Sequence, residues 1–369
     1  MRDFMTKLKS ISILHVILLS MTFIGLKNHV TIIPGILIAV GRDGWMSVIL
    51  GGLIILPWLP ILVVILKKAK KQPIENWVKQ KLGRYFGGAV IYLTVFFLLI
   101  LAAFTMRETL LWINTTFLPQ TPTIALLIVF SITIILLIST SIETIATVNV
   151  FVLFGVVVLG FFVAFVNIPV KDYELLRPFF EHGISKVVIG AVYPASGYVE
   201  LVLLLFLHHR VKGELKFWHF GLMLLLLVGL TLGPLIGAIT EFGPTEAAKQ
   251  RYPAYEEWGL ATIGRFIEHL DFFSFYQWLT GAFIRIGIIL YIVVQLLQLT
   301  GKPKEIWRYI AVPFLLISLS LSLVEDTTFL NFHEREFLII TFIYFFVLSV
   351  ILFVVALIPE KEVNTDDAK

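Results

Sequence analysis

The chain has 369 residues, is 58% hydrophobic and 15% charged, and combines a mean hydropathy of +0.93 with a formal net charge of +4. A soluble domain is nearer half apolar and about one-quarter charged, and it lacks repeated apolar runs of about 20 residues, so this composition describes an integral membrane protein of many helices. Cysteine is absent, which excludes disulfides, thiolate metal ligands and a cysteine nucleophile.

Ten segments are long and apolar enough to span a bilayer, at residues 11–40, 45–66, 87–113, 122–139, 142–166, 184–208, 217–240, 272–299, 306–324 and 337–358. They form a single transmembrane domain over 1–369, closed by a short tail at 359–369. Arg2, Lys7 and Lys9 precede the first segment, but no small-residue cleavage site follows before Lys27, so it reads as a retained helix and not a signal peptide. Lys67, Lys68, Lys70, Lys71, Lys79, Lys81 and Arg84 crowd into one connection, 67–86. Cytoplasmic flanks are enriched in Lys and Arg, so this loop, both termini and the tail are expected in the cytoplasm. Ile74, Trp77, Val78 and Leu82 recur there at near-helical spacing, which suits a basic amphipathic segment on the inner leaflet and equally an ordinary positive-inside loop. On the opposite side, connection 241–271 sets Trp258, Ile263, Phe266, Ile267 and Leu270 on one helical face, predicting a short amphipathic helix over the outer mouth.

Two apolar segments are interrupted in corresponding places of the two halves. The first carries Gly25-Leu26-Lys27-Asn28-His29, with Pro34 close behind; the second carries Tyr193-Pro194-Ala195-Ser196-Gly197-Tyr198, followed by Glu200. Freed peptide groups cannot stay bare in hydrocarbon, so such breaks are expected to line a cavity or ligand, and a matched pair points to a transporter-type site. Helix rise puts the first break ~21 Å from Ile11 and the second ~15 Å from the other end of its segment, both near the midplane of a ~30 Å core. Unwound turns with half-helix ends facing a zwitterion are the expectation. The candidate ligand-binding residues are Gly25, Leu26, Lys27, Asn28, Tyr193, Ala195, Ser196, Gly197, Tyr198 and Glu200. Proline and glycine also kink membrane helices without any ligand; their matched placement favours the site.

Lys27, Arg107, Glu200 and Arg285 lie inside predicted spans, with Glu108 beside Arg107. Charges at depth are costly and normally pair or face a cavity. Arg285 is a candidate partner of Glu200, and Lys27 would meet Glu200 or a ligand carboxylate. Arg107, nearer the outer face, is a second candidate charge partner, although snorkelling or a structural pair fits it equally. His208-His209 reads as a solvated helix end, and His333-Glu334-Arg335-Glu336 as the flank of an acidic external loop. There is no phosphate-binding glycine loop, zinc-ligand spacing or nucleophile elbow. Neither catalytic residues, a metal, a cofactor nor nucleic-acid binding is therefore predicted.

Several strings resemble the B-subunit family of nutrient germinant receptors of spore-forming bacteria. They are Ile33-Pro34 leading to Gly41-Arg42-Asp43-Gly44-Trp45, Leu176-Arg177-Pro178, Glu200 in the sixth segment, and Ile267-Glu268-His269-Leu270-Asp271. The resemblance covers the whole chain and rests on order and spacing. It implies the all-α, ten-helix LeuT-like fold of the amino acid–polyamine–organocation transporters: two inverted five-helix repeats, about 11–166 and 184–358, with helices 1 and 6 unwound. It implies a spore inner-membrane protein, bathed in lipid, that joins an A subunit and a lipoprotein C subunit. Such a protein recognises a small nutrient such as an amino acid and helps trigger germination. The site would involve Gly25 to Asn28, Ala195 to Gly197 and Glu200. Where many transporters of that superfamily keep a glycine pair, Leu26-Lys27-Asn28 follows Gly25, so Lys27 would act as a fixed cation. An amino-acid symporter of the same fold and a ligand-opened pore are the rival readings.

Overall fold

The computed structural model describes residues 10–263 and 270–359. Helix α1 (Ile13–Leu26) starts at Ser12, whose Oγ accepts the His15 N–H at 3.3 Å. A π-helical turn, Lys27–Thr31, joins it to α2 (Ile32–Val40). Gly41 then takes φ +67°, a left-handed conformation open to glycine, and the chain reverses into α3 (Gly44–Ile55) and α4 (Leu59–Ala69). There follow α5 (Ile74–Thr116), α6 (Thr123–Ile138) and α7 (Ile142–Val166). The sixth segment comprises α8 (Ile184–Gly190), α9 (Val192–Tyr198) and a 3-10 stretch, Val199–Phe206. Next are α10 (Phe217–Phe242), the short α11 (Pro244–Ala247) and α12 (Pro253–Gly259), and α13 (Phe272–Leu296). Short α14 (Pro303–Ile306) leads through a π turn into α15 (Val312–Ser322). Finally α16 (Asp326–Phe332) passes a third π turn, His333–Phe337, into α17 (Leu338–Leu357).

Eight helical runs among the described residues are long and apolar enough to cross a membrane. The first, Ile13–Ala69, has 57 residues. At 1.5 Å per residue it would be ~85 Å long, far beyond a ~30 Å hydrocarbon core, and the reversal at Gly41 divides it into two legs. Phe151, Phe154, Phe161 and Phe165 of α7 face outward, an arrangement water would penalise and lipid does not. The chain is a multi-pass integral membrane protein. The most extensive of its buried apolar clusters includes Val199–Phe206 and much of α13, and smaller ones lie beside it.

Three sequence expectations change here. The first and sixth segments do depart from α geometry, but neither unwinds. In the first, the Ile32 N–H bonds the Lys27 carbonyl, so the wide turn keeps its peptide groups satisfied inside the chain, as a hydrocarbon surrounding demands. In the sixth, the tightening to 3-10 geometry does the same. Second, His333 to Glu336 lie within the helical run Asp326–Leu357, not in a loop. Third, α12 covers only Pro253–Gly259 of the expected outer-mouth helix. Phe266 and Ile267 of that helix, with Ile267 to His269 of the family-like string, fall outside the described residues, as does the tail from 360 onward. The basic amphipathic segment is helical: Ile74, Trp77 and Val78 are buried, and α5 kinks after it at Gly83, φ +80°.

Close approach between the first and sixth segments depends on glycines. A Cβ on Gly190 would collide with Val40 and stand 2.7 Å from Ser47 Oγ. Gly190→Val is therefore expected to lower stability by about 1–3 kcal/mol through overpacking. Thermal unfolding in detergent checks this; an unchanged transition would contradict the packing.

Candidate functional site

The π turn inserts one extra residue, so Lys27 and Asn28 both project toward the sixth segment. Opposite them the 3-10 stretch presents Glu200, which is 0% exposed. Lys27 Nζ stands 3.0 Å from Glu200 Oε1 and also donates to the Ser196 carbonyl at 2.8 Å. Arg285 of α13 grips the same carboxylate as a fork: Nη1 donates to Oε2 at 2.7 Å and Nη2 to Oε1 at 3.0 Å. Its remaining donors go to the Phe23 carbonyl and, at 3.3 Å, to Thr105 Oγ1. One carboxylate thus ties α1, the sixth segment, α5 and α13 together. It meets two cations, so the triad carries an excess positive charge.

That excess faces an acid. Beside the triad lies a cavity of about 10 Å³, lined by Lys27, Thr31, Thr105, Glu108, Arg285 and His333, with room for about one water. Glu108 Oε2 accepts from Thr31 Oγ1 at 2.9 Å and lies 3.4 Å from His333 Nε2. Phe104 and Phe329 stack on the His333 ring, each at 5.5 Å. The cavity wall therefore offers guanidinium, ammonium and carboxylate groups among apolar ones. Such a set can hold a zwitterion by charge-assisted hydrogen bonds.

Of the sequence candidates, Lys27, Ser196 and Glu200 meet at the centre, and Arg285 joins them there. Arg107 does not; it pairs with Asp326 and lies over the Phe329 ring at 5.6 Å. Asn28 forms a neighbouring polar group: its Nδ2 donates to Thr231 Oγ1 at 3.2 Å, as does the Tyr198 hydroxyl at 3.3 Å. Gly197 lies against the Asn28 amide, so closely that a Cβ there would overlap it. Gly25 stays in α1 and packs on Leu230, Leu26 packs against Gly281, Ala195 lies over Gly51, and Tyr193 covers Gly35. These four hold helices together and touch no charge of the triad. Thr31, Thr105, Glu108 and His333 were not singled out as binding residues by sequence. Glu108 was visible as an acid inside an apolar run, but His333 was read as the flank of an external loop.

A family model described as spore germination protein matches residues 7–330. Spore germination protein XB of Bacillus anthracis is 39% identical over 331 residues, covering 89% of this chain and 93% of that protein. Putative spore germination protein YfkT of Bacillus subtilis (strain 168) is 27% identical over 253 residues, 69% of this chain and 70% of that protein. Spore germination protein A2 of the same strain is 21% identical over 262 residues, 70% and 71% of the two chains. The fold and the buried charge centre define a multi-pass membrane protein built around an intramembrane ion triad. The chain belongs to the spore germination protein family.

Removing one partner of a buried ion cluster leaves uncompensated charge. Glu200→Gln would leave Lys27 and Arg285 unmatched and is expected to cost about 3–5 kcal/mol of stability. Lys27→Met, which leaves the Arg285 fork intact, should cost less. Chemical unfolding of the two variants checks the order, and equal or reversed losses would contradict the geometry.

Proposed function

We propose that this chain is the ligand-binding membrane subunit of a nutrient germinant receptor, with an amino acid as its ligand class. The observation that supports this reading is the small cavity lined by Lys27, Arg285 and Glu108, beside the two interrupted helices. In the proposal a nutrient carboxylate takes a share of the two cations now held by Glu200, and its ammonium group meets Glu108. The cavity is far smaller than an amino acid, so binding requires the interrupted segments to move apart. A ligand that favours the separated arrangement shifts the population toward it. Gly25, Leu26, Asn28, Tyr193, Ala195, Gly197 and Tyr198 take part by setting how closely the two segments approach, and Lys27, Ser196 and Glu200 by touching the ligand or its charge partners.

The architecture we propose with it has ten membrane helices in two inverted repeats of five, about 11–166 and 184–358. Both termini are cytoplasmic, since the Lys67–Lys71 run then faces inward. The location is the spore inner membrane, where an A subunit and a C subunit would receive the change. The curated relatives' names speak of germination, which supports this setting.

Two measurements test it. Titration of the purified chain with the twenty standard amino acids should find a binder, and Glu108→Gln should weaken it at least ~10-fold, the value of a charge-assisted hydrogen bond. Unchanged affinity would remove Glu108 from the site. Gly197→Leu should expel the Asn28 amide and abolish nutrient-triggered germination while the protein stays in the membrane. An unaltered dose–response curve would count against the proposed site. Uptake of the same labelled amino acid into proteoliposomes by the isolated chain would favour a symporter instead.

A further inference from the structure

A second set of buried charges lies away from the triad, where the end of α7 and the connection after it meet α10 and α12. Asn167 bridges the two helices: its Nδ2 donates to Glu241 Oε2 at 2.9 Å and to the Glu257 carbonyl at 2.7 Å. Lys171 Nζ lies 3.4 Å from Glu241 Oε1, so the one cation of the group serves Glu241. Among the described residues Glu257 has no cation of its own. Its carboxylate rests on the backbone of α10, so near that a Cβ on Gly237 would stand 2.7 Å from both oxygens. Glu257 is 6% exposed and Asn167 1%. Glu257 Oε1 and Asn167 Oδ1 are buried and have no hydrogen-bond donor among the described residues. Two buried acceptors without a donor, one of them on a carboxylate without an ion pair among the described residues, are one hydrogen short. A buried acid in that position neutralises rather than remain charged.

We propose that Glu257 binds a proton, and that its carboxylic acid, donating to this orphaned acceptor set, latches α12 onto α10. The group facing it from α10 is Glu241, from the connection Lys171, and Glu256 is its neighbour on α12. From α13, Asp271 meets the Tyr255 hydroxyl instead, at 3.3 Å, and Lys27 of the π turn is taken by Glu200. Burial, and then the Glu241 charge, push the Glu257 carboxyl well above the usual carboxylate range, against a smaller opposing pull from Lys171. The latch reaches the centre of the molecule. Tyr252, just before α12, packs edge-on to Trp278 at 4.6 Å, Trp278 stacks on Trp112 at 4.2 Å, and Val30 of the π turn belongs to the same cluster. The inference does not depend on which nutrient, if any, binds beside Glu200.

The sign follows from a carboxyl whose folded value is raised. Docking of α12 is full below the ordinary carboxylate range and is lost as pH rises through the raised value. One proton makes the opening constant grow tenfold per pH unit across that window. Hydrogen exchange of the full chain in nanodiscs, read on peptides covering 253–259, tests this. Protection in Glu257→Gln divided by protection in the unaltered chain cancels the pH dependence of exchange itself. The ratio should be near one at acid pH and climb toward tenfold per unit before levelling. Glu241→Gln should make the climb level off at a lower pH and a lower plateau, with its onset unchanged. A ratio flat with pH would overturn the proposal, as would one that follows sodium concentration at fixed pH. Should Glu257→Gln not fold, pH-difference infrared spectra of the unaltered chain must still show a buried protonated carboxyl disappearing over the same window, and its absence overturns the proposal too.

Discussion

Everything in the middle of this molecule is organised by one carboxylate with no access to water. Glu200 must be neutralised where it stands, because an unpaired charge in the membrane interior is too costly to persist. Two cations do so, and each comes from a different helix. Arg285 supplies the rigid fork that matches both oxygens, whereas Lys27 supplies a compact charge on a flexible stem. The stronger, planar contact therefore fixes α13 to the sixth segment, and the more easily exchanged one fixes α1. Glu108 answers the surplus positive charge at the small cavity.

Geometry makes the triad attainable. The π turn through residues 27–31 sets both Lys27 and Asn28 toward the sixth segment. It does so without exposing peptide groups, since each N–H still finds a carbonyl one residue further back. On the facing side, Gly190 and Gly197 remove the side chains that would hold the segments apart. Helix distortion and small residues thus serve the same end: they bring charged groups within 3 Å of each other in a place where lipid would otherwise forbid them.

Much of this could be read from the sequence, and the rest could not, for physical reasons. Lys27, Glu200 and Arg285 stood out because charge is rare in apolar runs, and the two interruptions stood out because glycine and proline cluster there. Their pairing followed from depth alone. The form of the interruptions was misjudged: residues that permit unwinding also permit π and 3-10 turns, and composition does not separate these. Gly25 was weighted for its conformational freedom, yet it sits in ordinary α-helix beside Leu230. His333 was hidden because a string of four charged or polar residues resembles a loop flank, while in three dimensions its ring packs in one aromatic cluster with Phe104 and Phe329. Likewise, the Glu241–Glu257 cluster joins residues from three elements, a proximity that spacing along the chain does not reveal.

The account stands on Lys27 and Arg285 being cations that a ligand can share with Glu200. The most direct test is a cryo-electron microscopy structure of the chain bound to whichever standard amino acid it holds most tightly. The expected result is a widened cavity, with the ligand carboxylate within about 3 Å of Lys27 or Arg285 and its ammonium at Glu108. An amino acid bound elsewhere, with the Glu200 triad and its neighbouring cavity unchanged, would contradict it.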